Sequence, residues 1–209
     1  MAQDAKGGFW VGTDRGVQLL NKNRPNIYFN DTNGLSDNRV HDVFKDDENN
    51  MWVSCFSDGL YKYEGDAFIR YVTFKGQNLN FPISSLAADN NNNLWIGSVT
   101  KGLLMYDGTQ IKPVNNAELR NRNILFAYAD RDKNIWISAQ DKGLWMYDGL
   151  KFSQKLKPGI TDFHSMLQDE NGAYWINGSM RTLYIKNGKT EIIEGFSGYN
   201  SCIYALGGD

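Results

Sequence analysis

Cysteine and histidine are nearly absent from this chain, at 2 residues each in 209. Two cysteines, Cys55 and Cys202, cannot form a disulfide framework and read as two separate buried thiols. Two histidines leave little for imidazole-based metal binding or acid–base chemistry. No apolar run reaches the roughly 18 residues that a bilayer crossing needs, and residues 1–8 lack the charged-then-apolar order of a secretory signal. An excess of positive charge is also missing: the formal net charge is −2 and the pI about 5.7. No general field would draw in a nucleic-acid backbone, so no nucleic-acid partner is expected. Proline is rare too, at 4 residues against 21 glycines, so tight turns here are made by glycine.

What is present fits many short strands. The chain has 41% hydrophobic, 22% charged and 13% aromatic residues, with 11 Tyr, 11 Phe and 6 Trp. That composition suits one soluble all-β domain spanning residues 1–209.

Internal repetition decides the architecture. Tryptophan recurs at Trp10, Trp52, Trp95, Trp136 and Trp175, at intervals of 42, 43, 41 and 39 residues. Six positions before each stands an aspartate: Asp4, Asp46, Asp89, Asp130 and Asp169. The stretch between them is turn-forming, and an aspartate there is expected to bind the backbone amides of its own turn. After each tryptophan come a β-branched residue and a small one, as in Trp95-Ile96-Gly97 and Trp136-Ile137-Ser138. A second turn follows at Gly16, Gly59, Gly102 and Gly143, then a strand such as Leu144-Trp145-Met146-Tyr147. A third turn, Asp107-Gly108 or Asp148-Gly149, uses the positive φ that glycine permits and leads to a fourth strand.

A four-stranded meander repeated every 40 residues or so is the mark of a β-propeller. The expected architecture is five four-stranded blades, with the five periodic tryptophans packed between them and only Trp145 standing outside the series. The sequence opens at the turn before Trp10, so the first blade is expected to lack its first strand. Residues 201–206 resemble that strand and could complete the blade, closing the ring. The alternative is a longer array, with that strand belonging to a sixth blade.

The pattern Asp-x-x-x-x-x-Trp-(Ile/Val)-(Gly/Ser), followed by Gly-Leu-x-x-Tyr-(Asp/Glu)-Gly, resembles the two-component regulator propeller repeat. Residues 89–108 and 130–149 carry it best, and Gly34-Leu35-Ser36-Asp37-Asn38 is also typical. The resemblance covers nearly the whole chain. It implies the extracytoplasmic, periplasmic sensing half of a membrane histidine kinase, often one responding to glycan fragments. It carries no shared ligand motif.

Nothing in the sequence points to catalysis, so no enzyme, cofactor or metal site is expected. His41 and His164 each lie eleven residues before a tryptophan but belong to blades 2 and 5, too far apart to act as a pair. Binding has more support. Loops joining strands 2 and 3, and loops joining blades, emerge on one face of a propeller and vary without disturbing its sheets. The first kind places Arg15, Lys101, Lys142 and Arg181 there, with Asp58 at the blade 2 position. The second adds Arg39, Arg122, Phe81 and Tyr199, together with Asn38, Asn80, Arg120, Phe163 and Asn200. Cations beside aromatic faces suit an oligosaccharide, especially an acidic one. The same surface could instead dock a protein or a second copy of the chain, and a hydrolase or lyase is a third reading.

Overall fold

The structure, a computed structural model, describes residues 1–57, 59–70, 73–74, 77–158, 162–179 and 181–193, with backbone alone at 73–74 and 77–78. Every regular element among them is a strand. Blade 1 is β1 (Ala2–Gln3), β2 (Phe9–Thr13), β3 (Gly16–Leu20) and β4 (Ile27–Phe29). Blade 2 is β5 (Val40–Lys45), β6 (Met51–Cys55), β7 (Gly59–Glu64) and β8 (Ala67–Arg70). A short hairpin follows, β9 (Thr73–Phe74) and β10 (Gln77–Asn78). Blade 3 is β11 (Ile83–Ala88), β12 (Leu94–Ser98), β13 (Gly102–Tyr106) and β14 (Ile111–Pro113). Blade 4 is β15 (Ile124–Ala129), β16 (Ile135–Ala139), β17 (Gly143–Tyr147) and β18 (Phe152–Leu156). Blade 5 is β19 (Phe163–Gln168), β20 (Tyr174–Gly178), β21 (Thr182–Lys186) and β22 (Lys189–Ile193).

Within each blade the strands pair antiparallel in chain order, giving the expected five-bladed β-propeller. Two details differ from expectation. Blade 1 does have a first strand, because Ala2 and Gln3 pair with Trp10 and Phe9. Blade 3 grows to six strands: β9 joins β14 in parallel, Phe74 opposite Ile111, and widens the outer edge. The proposed closing segment, 201–206, and Cys202 lie outside the described residues. Cys55 is a buried thiol.

The apolar core lies between blades. Four clusters fill the four junctions of consecutive blades, the first joining Trp10, Val17 and Phe29 to Val43, Val53 and Tyr61. Four of the five periodic tryptophans meet a tyrosine of the following blade, Trp10–Tyr63 at 4.6 Å, Trp52–Tyr106 at 6.0 Å, Trp95–Tyr147 at 4.9 Å and Trp136–Tyr174 at 4.7 Å between ring centroids, while Trp175 meets Tyr184 of its own blade at 4.8 Å. Blade 5 has Lys186 where the other tyrosines stand, and Tyr174, from a different strand, supplies the ring instead. Such edge contacts add about 0.5–1.5 kcal/mol each to the burial of the rings. Trp145 packs on the third cluster, and its Nε1 donates to the Lys142 carbonyl at 2.9 Å.

Small residues follow the tryptophans because the next blade presses against them. A Cβ on Gly12 would lie 2.5 Å from Val40 Cγ1, and one on Gly97 would lie 2.9 Å from Ile124 Cγ2. The second-turn glycines meet the returning chain: a Cβ on Gly16, Gly59, Gly102 or Gly143 would stand 2.1–2.3 Å from the carbonyl oxygen of Phe29, Leu79, Leu119 or Leu156.

The aspartates do more than close their turns. Asp89 Oδ1 accepts the amides of Asn91 (2.9 Å) and Asn93 (3.0 Å), while Oδ2 accepts Trp95 Nε1 at 2.9 Å. Asp4, Asp46, Asp130 and Asp169 repeat the arrangement, with tryptophan bonds of 2.8–3.0 Å. One carboxylate therefore fixes both the turn and the ring on which the next blade packs. The bonds from Trp175 and the Ala173 amide hold Asp169 below its usual 3.8. Burial works to raise Asp4, but the bonds from Trp10, Gly8 and Lys6 outweigh it and bring that carboxyl down as well.

A carboxyl depressed on folding contributes stability above its unfolded pKa and loses it as pH falls through the folded one. Resistance to urea unfolding is therefore expected to fall as pH drops from about 5 toward 2, and Asp169→Asn should flatten that dependence. Parallel pH profiles for the variant and the parent protein would contradict this.

Candidate functional site

The strand order gives the propeller two unlike faces. One, the turn face, carries the aspartate turns and the hairpins between third and fourth strands. The other, the loop face, carries the loops between second and third strands and those joining blades. On the turn face, Lys133 Nζ lies 2.7 Å from both carboxylate oxygens of Asp47. These residues belong to blades 4 and 2, two positions apart in the ring, so the pair reaches across the axis. Arg131 of blade 4 adds a bond to the Glu170 carbonyl of blade 5, 3.0 Å long. On the turn face, blades 2 and 4 are thus tied to each other, and blades 4 and 5 likewise.

The loop face is built by one repeated backbone bond. In blades 2 to 5 the residue four beyond the periodic tryptophan donates to the residue leading into its own inner strand: Phe56 to Arg39 (2.9 Å), Val99 to Pro82 (3.1 Å), Gln140 to Asn123 (2.9 Å) and Ser179 to Asp162 (3.1 Å). Blade 2 elaborates this bond into a stack. Arg39 Cζ lies 4.6 Å from the centre of the Phe56 ring, and the His41 ring stacks on the same phenyl at 6.0 Å and 16°. Arg39 Nε also donates to Asp37 Oδ1 at 3.4 Å, and its terminal nitrogen bonds Ser57 Oγ. The Ser57 amide in turn donates to Asp37 Oδ2 at 2.7 Å. The guanidinium is therefore held ready at an exposed position.

The other expected cations divide into two groups. Arg15, Lys101, Arg122 and Arg181 are exposed on the loop face, on blades 1, 3 and 5 and on the loop entering blade 4. Lys142 is already engaged, its Nζ lying 2.7 Å from Glu118 Oε2. That bond lowers Glu118 below its ordinary value.

Phe81 requires a correction. It is 7% exposed and packs in the second apolar cluster with Trp52 and Leu60, so it offers no stacking face to a ligand. Phe163 is likewise buried. The chain crossing from the rim of one blade to the inner strand of the next must cover that junction, and its apolar residues fold down, as Leu35, Leu79 and Leu119 also do. Tyr199, Asn200 and Asp58 lie outside the described residues.

Phe56 is the residue that sequence reasoning missed. Its signal was available: an aromatic side chain four beyond Trp52, where the later blades have Val99, Gln140 and Ser179. His41 stays within blade 2, while His164 Nε2 bonds Ser179 Oγ at 2.6 Å within blade 5. No cluster of potential metal ligands occurs among the described residues. Burial raises Asp42, an inner-strand carboxyl, yet it accepts the Leu86 amide of blade 3 at 2.9 Å. Ser85 does the same for Ala127 of blade 4 at 2.7 Å, which marks the position as a fastening between blades.

Comparison with known proteins agrees with this architecture. The family described as two component regulator propeller matches residues 34–57 and 76–100. No curated protein sequence matches the chain significantly. Among solved structures, the chain is similar to the extracellular domain of BT4673 from B. thetaiotaomicron, described as a hybrid two component system, with a TM-score of 0.73 at 20% identity. That match covers 96% of this chain and 31% of the other. Virginiamycin B lyase from Staphylococcus aureus gives 0.71 at 12% identity, over 92% of this chain and 68% of that one. The GH74 enzyme of Niastella koreensis gives 0.68 at 16%, over 92% and 36%. No helix among the described residues is long and apolar enough to cross a membrane.

A zero-length carbodiimide cross-linker should join Lys133 to Asp47, read as one cross-linked peptide by mass spectrometry. Failure to recover that peptide, while Lys142–Glu118 is recovered, would show that the turn face is not bridged.

Proposed function

We propose that this chain, which carries the two component regulator propeller repeat, is a non-catalytic ligand-sensing module that binds a glycan fragment on its loop face. The observation that carries the reading is the Arg39–Phe56–His41 stack, an oriented guanidinium on an exposed ring. A sugar with a carboxylate or sulfate group finds there a charge-assisted donor beside an apolar surface. The exposed Arg15, Lys101, Arg122 and Arg181 supply further positive charge around the same face. The BT4673 likeness favours a sensing role in an extracytoplasmic setting.

A second reading, docking of a protein partner or self-association, draws on the outer strands. Ile27 and Tyr28 of β4, Ile69 of β8 and Ile192 of β22 are exposed apolar side chains on blade edges.

Calorimetry against a panel of neutral and acidic oligosaccharides tests the first reading. An acidic member should bind, and Arg39→Ala or the pair Arg15→Ala with Lys101→Ala should weaken it roughly tenfold, the worth of one charge-assisted hydrogen bond. No heat with any glycan, alongside concentration-dependent sedimentation, would replace this reading with the second.

A further inference from the structure

We infer that the cleft between blades 1 and 2 on the turn face is a separate binding site for a small carboxylate- or sulfate-bearing molecule. The cleft encloses about 650 Å³, enough for a monosaccharide-sized solute. Its distinguishing feature is the hairpin between β3 and β4. That link has six residues, 21–26, against two at 65–66 and 187–188 and four at 107–110 and 148–151. The extension is internally braced. The Asn21 amide donates to Asn26 Oδ1 and Asn21 Nδ2 to the Pro25 carbonyl, both at 3.0 Å. It brings Lys22 and Arg24 to the cleft, whose opposite side has Lys6 on the aspartate turn.

Among the described residues these three cations have no ion-pair partner. The two acids of the lining are already engaged. Asp4 accepts its own turn amides and Trp10 Nε1, and Asp66 accepts the Tyr63 hydroxyl at 3.2 Å. The lining is left with a net positive charge, while Ile27 and Tyr63 provide apolar wall. The comparable cleft between blades 3 and 4 is smaller, about 410 Å³, and its one cation, Lys112, is spent on Asp107 at 2.9 Å. Lys112 holds Asp107 far below the usual carboxylate range, as a committed pair does. Of these two clefts only the first carries unpaired positive charge, and it lies on the opposite face from the Arg39 stack.

The test titrates the full chain at low ionic strength with glucuronate, inorganic sulfate and glucose, followed by heteronuclear NMR shifts. Glucuronate should shift amides of residues 6, 22 and 24, and glucose should not. Sulfate shifting the same amides as strongly would identify the anion itself as the recognised group, and weaker sulfate binding would add recognition of the sugar ring. Lys22→Ala with Arg24→Ala, exposed changes that should leave urea unfolding unaltered, should weaken binding at least tenfold. Arg15→Ala with Lys101→Ala should leave it intact, so this site and the loop-face reading fail separately. Equal affinity in the Lys22/Arg24 variant, equal response to glucose, or no shift at these amides would overturn the proposal.

Discussion

The fold depends on one charge-assisted hydrogen-bond arrangement repeated five times, in which an aspartate carboxylate holds a turn with one oxygen and an indole N–H with the other. A blade is a thin sheet with two apolar faces, and alone it could cover neither. Its tryptophan is useful only if the ring is held at a fixed angle for the next blade to meet. Fixing it through the turn makes local hairpin geometry and long-range packing one event. In blades 2, 3 and 4 the carboxylate is also braced by a neighbouring asparagine, Asn50, Asn93 or Asn134, at 2.8–3.0 Å. At Asp130 the clip even extends to the next blade, because Tyr174 donates to the same oxygen at 2.9 Å. Burial first, and then that carboxylate, push the Tyr174 phenol above its ordinary value.

Rigidity of this kind releases the loops for function. The glycines that let the chain turn back at Gly16, Gly59, Gly102 and Gly143 touch backbone on the returning side and leave no space for a side chain. Arg15 and Lys101, beside two of these glycines, are exposed. The strand order makes the two faces inequivalent, and the Lys133–Asp47 pair ties blades 2 and 4 together on the turn face alone.

Much of the architecture was legible because it is periodic. The aspartate, the tryptophan, the small residue after it and the turn glycines recur at fixed offsets, and each proved to answer a steric or hydrogen-bonding demand of the blade. What escaped was aperiodic. Two residues at the start, Ala2 and Gln3, are too short a stretch to register as a strand, yet the edge of β2 pairs with them. The β9–β10 hairpin lies in an inter-blade connection, and no other such connection carries a hairpin among the described residues. Phe81 looked like a loop aromatic because its position in sequence says nothing of the junction beneath it, and Phe56 escaped because the residues at its offset share no chemistry. The residues proposed to bind lie in loops that the repeat leaves variable, so the pattern that reveals the fold does not by itself single them out.

A double-mutant cycle on Asp89→Asn and Trp95→Phe, read by urea unfolding, addresses the aspartate–indole contact most directly. If the carboxylate holds the ring, the two changes should be coupled by about 1–2 kcal/mol, the pair costing less than the sum of the single variants. Strict additivity would mean that turn and tryptophan act independently, and that the blades are positioned by packing alone.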